Sequence, residues 1–72
     1  MTEQEIINLI QQGLPDAQVF LEGEGCNFKI TVISPAFANK SLIQQHRMVK
    51  ELLSEAITSG ALHAVTLDTR AP

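Results

Sequence analysis

A chain of 72 residues makes one domain, 1–72, with a single thin core, because so short a chain buries only a modest share of its surface. At 44% apolar and 18% charged residues it is globular in composition, and no apolar run reaches the roughly 20 residues that span a bilayer. Its net charge of −3, with five Lys and Arg against eight Asp and Glu, excludes a general phosphate-backbone binder, and its size argues against a deep catalytic cleft.

The opening, MTEQEI, carries neither the basic start and apolar run of a secretory signal nor an Arg- and Ser-rich transit segment. A cytoplasmic protein is the expectation. Thr2 followed by Glu5 has capping-box spacing. Ile6, Ile7, Ile10 and Leu14 then recur at helical spacing until Gly13 and Pro15 stop the run, which predicts a helix over 3–12. Residues 17–22 alternate in part, with Val19 and Leu21 on either side of Phe20. Residues 28–33 alternate cleanly, with Phe28, Ile30 and Val32 on one face and Lys29 and Thr31 on the other. The glycine-bearing stretch from Gly23 to Asn27 between them predicts a β-hairpin with Cys26 at the loop's exit.

Ser34-Pro35 ends the second strand, and 36–40 read as a connecting loop. Ser41 with Gln44 repeats the capping spacing. Leu42, Val49, Leu52, Leu53, Ala56 and Ile57 then trace one face of a long helix over 41–58, closed by Gly60. Residues 63–67 predict a third strand, and the tail DTRAP carries no further pattern. The order is α–β–β–α–β. Two amphipathic helices must bury their stripes on one face of a three-stranded sheet, giving a two-layer α+β domain. The hairpin is antiparallel, and the third strand, arriving after a helix, is free to pair parallel to a neighbour.

Cys26 is the only cysteine, so no internal disulfide forms, which fits a reducing compartment. On spacing alone Cys26 and His63 match no short metal motif such as C-x-x-C. Read as residues, Cys26 serves equally as an inert loop thiol and His63 as a strand-edge imidazole bonded to a carbonyl. His46, between Leu42 and Val49 on the long helix, borders the buried stripe and reads as a structural residue fixing helix to sheet. Lys40, Arg47 and Lys50 gather at the entrance and flank of that helix, as a solvated face or as a cationic patch that meets a partner. No Ser–His–Asp order, paired-carboxylate element or phosphate-cradling glycine loop can be assembled. A Cys26–His63 pair would lack a third group to orient it, so the expectation is a non-enzyme.

The stretch from Phe37 to Lys50 resembles the F-x-x-K-x-x-x-x-R/Q-H-R/Q-x-V segment of BolA-like proteins. Leu62-His63-Ala64 resembles that family's hydrophobic-His-Ala/Gly element, and Gly23 to Phe28 its glycine-bearing loop followed by an aromatic. The resemblance covers nearly the whole chain. It implies an α+β fold similar to the class II KH domain and a [2Fe–2S] cluster shared with a monothiol glutaredoxin. His63 is then one cluster ligand and Cys26 the second, with Asn27 standing where many bacterial members have histidine. The short ending after Arg70 is also like the cysteine-bearing subtype.

Such a cluster needs four ligands, and one thiolate with one imidazole leaves the rest to the partner's thiolate and its glutathione. Lys40, Arg47 and Lys50 become candidate partner-binding residues, facing the partner or glutathione carboxylates. A nucleic-acid-binding regulator of KH-like fold is the alternative expectation. It is disfavoured because KH domains grip nucleic acid through a G-x-x-G loop that this sequence lacks.

Overall fold

A computed structural model describes residues 2–24, 27–60, 62 and 64–72, of which 24, 27 and 64 by backbone alone. Helix α1 (Glu3–Gly13) leads into strands β1 (Gln18–Glu24) and β2 (Asn27–Ile33), followed by one 3-10 turn (Pro35–Phe37). Helices α2 (Leu42–Leu52) and α3 (Ser54–Thr58) precede strand β3 (Ala64–Arg70). The sheet order is β1-β2-β3, with β2 antiparallel to β1 and parallel to β3. The α+β architecture agrees with the sequence reading.

Both capping boxes form as their spacing predicts. Glu5 N–H donates to Thr2 Oγ1 at 3.2 Å, and Gln44 N–H donates to Ser41 Oγ at 3.2 Å. In return Glu5 Oε1 and Gln44 Oε1 accept from the backbone N–H of Thr2 and Ser41. Each cap contributes about 1 kcal/mol. The apolar stripes contribute more. Ile6 and Ile10 of α1 are both 0% exposed, and burial of such a side chain stabilises by roughly 1.5–3 kcal/mol.

Cross-strand partners place Val19, Leu21, Phe28, Ile30, Val32, Val65 and Leu67 on the face that meets the helices. Phe20, Lys29 and Thr31 lie on the opposite face, and Phe20 is exposed. Strand β1 and strand β2 pair as far as Glu24↔Asn27, farther into the glycine-bearing stretch than the alternation suggests.

Three further boundaries differ from the sequence reading. The segment 36–40 contains part of the 3-10 turn, because Ser34 Oγ accepts from Ala36 N–H and Pro35 fits the first turn. Strand β3 runs on through Asp68, Thr69 and Arg70, whose backbones pair with Thr31, Val32 and Ile33. Pairing satisfies backbone groups that the unpatterned tail gave no reason to expect.

The long helix expected over 41–58 is two helices. At Leu53 (φ −102°, ψ 7°) the N–H is shared between the carbonyls of Val49 and Lys50, each at 3.2 Å, a 3-10-like tightening. The turn keeps Leu53 and Ala56 buried. Ile57, expected in the core, is 38% exposed, and Leu42, also expected there, is 59% exposed. Gly60 (φ 83°) follows the α3 C-cap in the left-handed region, as the sequence anticipates.

One side chain ties the layers together by hydrogen bonds. Gln45 Nε2 donates to the carbonyls of Lys40 (3.0 Å) and Phe37 (3.4 Å), and its Oε1 accepts from the buried Thr69 hydroxyl at 2.8 Å. Replacing Gln45 by Ala strands the buried Thr69 hydroxyl, whereas the Phe37 carbonyl keeps its bond from the Lys40 N–H. Gln45→Ala is expected to destabilise by about 1–3 kcal/mol in urea titration, and adding Thr69→Val should recover part of the loss. Gly60→Ala forces a Cβ into the left-handed region and should cost about 1–2 kcal/mol by the same measurement.

Candidate functional site

The two candidate ligands, Cys26 and His63, lie outside the described residues. What the structure supplies is their immediate frame. Asn27, which follows Cys26, and Ala64, which follows His63, are register partners at the start of the parallel β2–β3 pair. Two positions separated by more than half of the chain thus have neighbours in a single rung of the ladder.

That rung exists because Phe28, Ile30 and Val32 form the buried face of the central strand, while Val65 and Leu67 continue it on β3. A slip of one residue would turn those side chains to solvent, so burial fixes the register. Leu62, just before the strand, is 1% exposed, and its N–H donates to the carbonyl of Ala56 at 3.1 Å. The approach to β3 is therefore anchored on α3. Among the described residues, no group of three or more His, Cys, Asp and Glu side chains is arranged to hold a metal ion.

The candidate partner-binding cations fall elsewhere. Lys40, Arg47 and Lys50 are all exposed, and among the described residues none of them forms an ion pair. Through Gln45, the Lys40 carbonyl sits beside Thr69, at the C-terminal part of β3. Thr69 is about 17 Å along the strand from Ala64 at the usual rise per residue. Lys40 is therefore remote from the Asn27–Ala64 rung. Arg47 and Lys50 follow along α2, with Ile43, His46, Glu51 and Ser54 beside them around a shallow depression of ≈ 420 Å³.

His46 is half-buried, as its place beside the apolar stripe suggests. Its Nε2 is fully buried and has no hydrogen-bond partner among the described residues. An unpaired buried polar atom costs about 1–3 kcal/mol.

Sequence reasoning missed two features of this helix. Gln45 was legible as a polar residue on the buried stripe, one helical repeat before Val49. Leu42, read as part of the buried stripe, is 59% exposed, and its neighbour Ile43 is 71% exposed. Their signal was adjacency: two neighbouring aliphatics cannot both face the layer that Val49 and Leu53 enter.

A second depression lies between α1 and the α2–α3 bend, with Leu9 and Leu52 at its floor and Glu5, Glu51 and Glu55 around it. Gly13 permits this close approach, because a Cβ there would overlap Leu52 Cδ2.

Residues 4–72 match the family model of BolA-like proteins. A BolA-like protein of Dictyostelium discoideum is 37% identical over 51 residues, covering 71% of this chain and 45% of that protein. SufE-like protein 1 (chloroplastic/mitochondrial) of Arabidopsis thaliana is 37% identical over 46 residues, covering 64% of this chain and 12% of that protein. The chain thus spans less than half the length of either relative. Among solved structures, a bolA protein homologue from Coxiella burnetii superposes with a TM-score of 0.85 at 32% identity, covering 100% of this chain and 92% of that one. The BolA domain of SufE1 from Arabidopsis thaliana has a TM-score of 0.84 at 24% identity, covering 100% of this chain and 95% of that one, a likeness of fold alone. A family match over nearly the whole length, joined to the same arrangement of helices on a mixed sheet, decides the matter: the chain belongs to the BolA-like family.

Proposed function

We propose that this protein is a non-enzymatic adaptor in iron–sulfur cluster handling, which shares a [2Fe–2S] cluster as cargo with a monothiol glutaredoxin. Family membership, and the relative named as SufE-like, are consistent with a role in iron–sulfur biology. The observation that carries the reading is the Asn27↔Ala64 register. Cys26 and His63 are each one peptide link from a member of that pair. Neighbouring strands run about 4.8 Å apart, so the two backbones to which these residues are joined, at Asn27 and Ala64, are adjacent.

The donor chemistry fits half a site. Cys26 offers a thiolate and His63 an imidazole, while a [2Fe–2S] unit takes four ligands. A glutaredoxin thiolate and its glutathione bring the remaining two. Neutral imidazole in place of thiolate leaves the cluster less negative and raises its potential, and its weaker, pH-dependent ligation suits cargo that is handed on. The chain's part is to supply two ligands and leave the other two to the partner. Among the described residues, no helix is long and apolar enough to cross a membrane.

Co-expression with a monothiol glutaredoxin should yield a coloured heterodimer on a sizing column, with a visible spectrum distinct from that of the glutaredoxin homodimer. Cys26→Ala and His63→Ala should each deplete the mixed cluster, with circular dichroism confirming that the variants fold. An unchanged spectrum with no complex would overturn the proposal, and indifference to both substitutions would remove the ligand assignment.

A further inference from the structure

Leu62 is fixed twice over. Its side chain is 1% exposed, and its N–H donates to the carbonyl of Ala56 at 3.1 Å. That carbonyl lies near the end of α3, where a helix leaves acceptors without partners of its own. The Ser59 hydroxyl donates to the same oxygen at 3.3 Å. Ala56 is itself buried, and Gly60, at φ 83°, turns the chain between the helix end and Leu62. The break at Leu53 makes α3 a separate helix of five residues, and its end is what meets Leu62.

The register of β3 is set without this anchor. Val65 and Leu67 pack on the core, Thr69 is buried and bonded to Gln45, and the strand pairs with β2 from Ala64 to Arg70. Two separate elements therefore hold the residues on either side of position 63. Helix α3 holds Leu62, and the central strand holds Ala64 through its partner Asn27. Only two peptide links join Leu62 to Ala64, a reach of at most about 7 Å.

We propose that Leu62, together with the Ala56 carbonyl and the turn at Gly60, is a positioning residue that pre-organises the imidazole of His63 for the cluster. The inference rests on the reading of His63 as a ligand, and it adds which part of the fold sets that ligand's place. Leu62 touches no cluster atom and acts through its neighbour. Ordering a ligand's backbone during folding leaves less conformational freedom to be lost when the metal binds. A ligand supported in this way keeps its metal longer than the same side chain on a free loop.

The test uses the full chain with a monothiol glutaredoxin. In the reduced wild-type complex, pulsed electron paramagnetic resonance should record a nitrogen hyperfine coupling that disappears in His63→Ala. Leu62→Ala and Gly60→Ala should each alter that coupling and speed loss of the cluster to a chelator about tenfold. Leu62→Met, which refills the site, should restore both. Leu14→Ala is the control. It removes a buried leucine close to Gln18, whose rung runs through Ile33 to Arg70, about 20 Å along β3 from Ala64. Both readouts should keep their wild-type values there. In the chain without cluster, the Leu62 amide should resist hydrogen exchange and lose that protection in Gly60→Ala.

Equal effects of Leu14→Ala and Leu62→Ala would reduce the anchor to general stability and defeat the proposal. Unaltered coupling and cluster lifetime in both Leu62→Ala and Gly60→Ala would defeat it too, while leaving the cluster reading in place. Should Leu62→Ala fail to fold, Gly60→Ala decides the matter, because it removes no core side chain. A wild-type mixed cluster without any His63-dependent coupling would instead strike His63 from the ligand set, and this inference with it.

Discussion

Strand β2 is bonded on both edges, antiparallel to β1 and parallel to β3, and its Ile30 and Val32 are 0% exposed. Every other element takes its position from that strand. Alternation along Phe28, Ile30 and Val32 fixes which face meets the helices, and the register of both neighbours follows, because a one-residue slip would put the core face in water. The Asn27↔Ala64 rung is therefore a consequence of packing rather than of any local chemistry at that end. In so small a domain this is economical: the residues that build the core also determine which chain positions meet.

Much of this was legible in the sequence because it rests on local rules. Two capping boxes, the clean alternation of 28–33 and the glycine after α3 each announce a conformation through nearby residues, and the structure has all of them. The features that escaped depend on distant partners. Strand β3 extends through Arg70 because Thr31, Val32 and Ile33 are there to bond it, which nothing in DTRAP reveals. The break at Leu53 has no Pro or Gly to mark it, so a periodic pattern passes straight through. Leu42 and Ile57 match the helical period yet are 59% and 38% exposed.

The site divides along the same line. Cys26 and His63 were singled out by type and by family likeness, and the register of the residues that follow them gives that choice a physical frame. Lys40, Arg47 and Lys50 were grouped because they are near in sequence. In space Lys40 sits at the head of α2 beside the C-terminal part of β3, and Arg47 and Lys50 follow along the helix toward α3, which anchors the start of β3.

Gln45 explains how the head of α2 is seated ahead of Val49. Its amide bridges the loop carbonyls of Phe37 and Lys40 to the Thr69 hydroxyl, fixing the head of α2 against β3 by hydrogen bonds. Leu42 and Ile43, in the first turn of α2, are exposed, and Val49 is the first fully buried residue of the helix, so hydrogen bonds through Gln45 seat the end of α2 that precedes it.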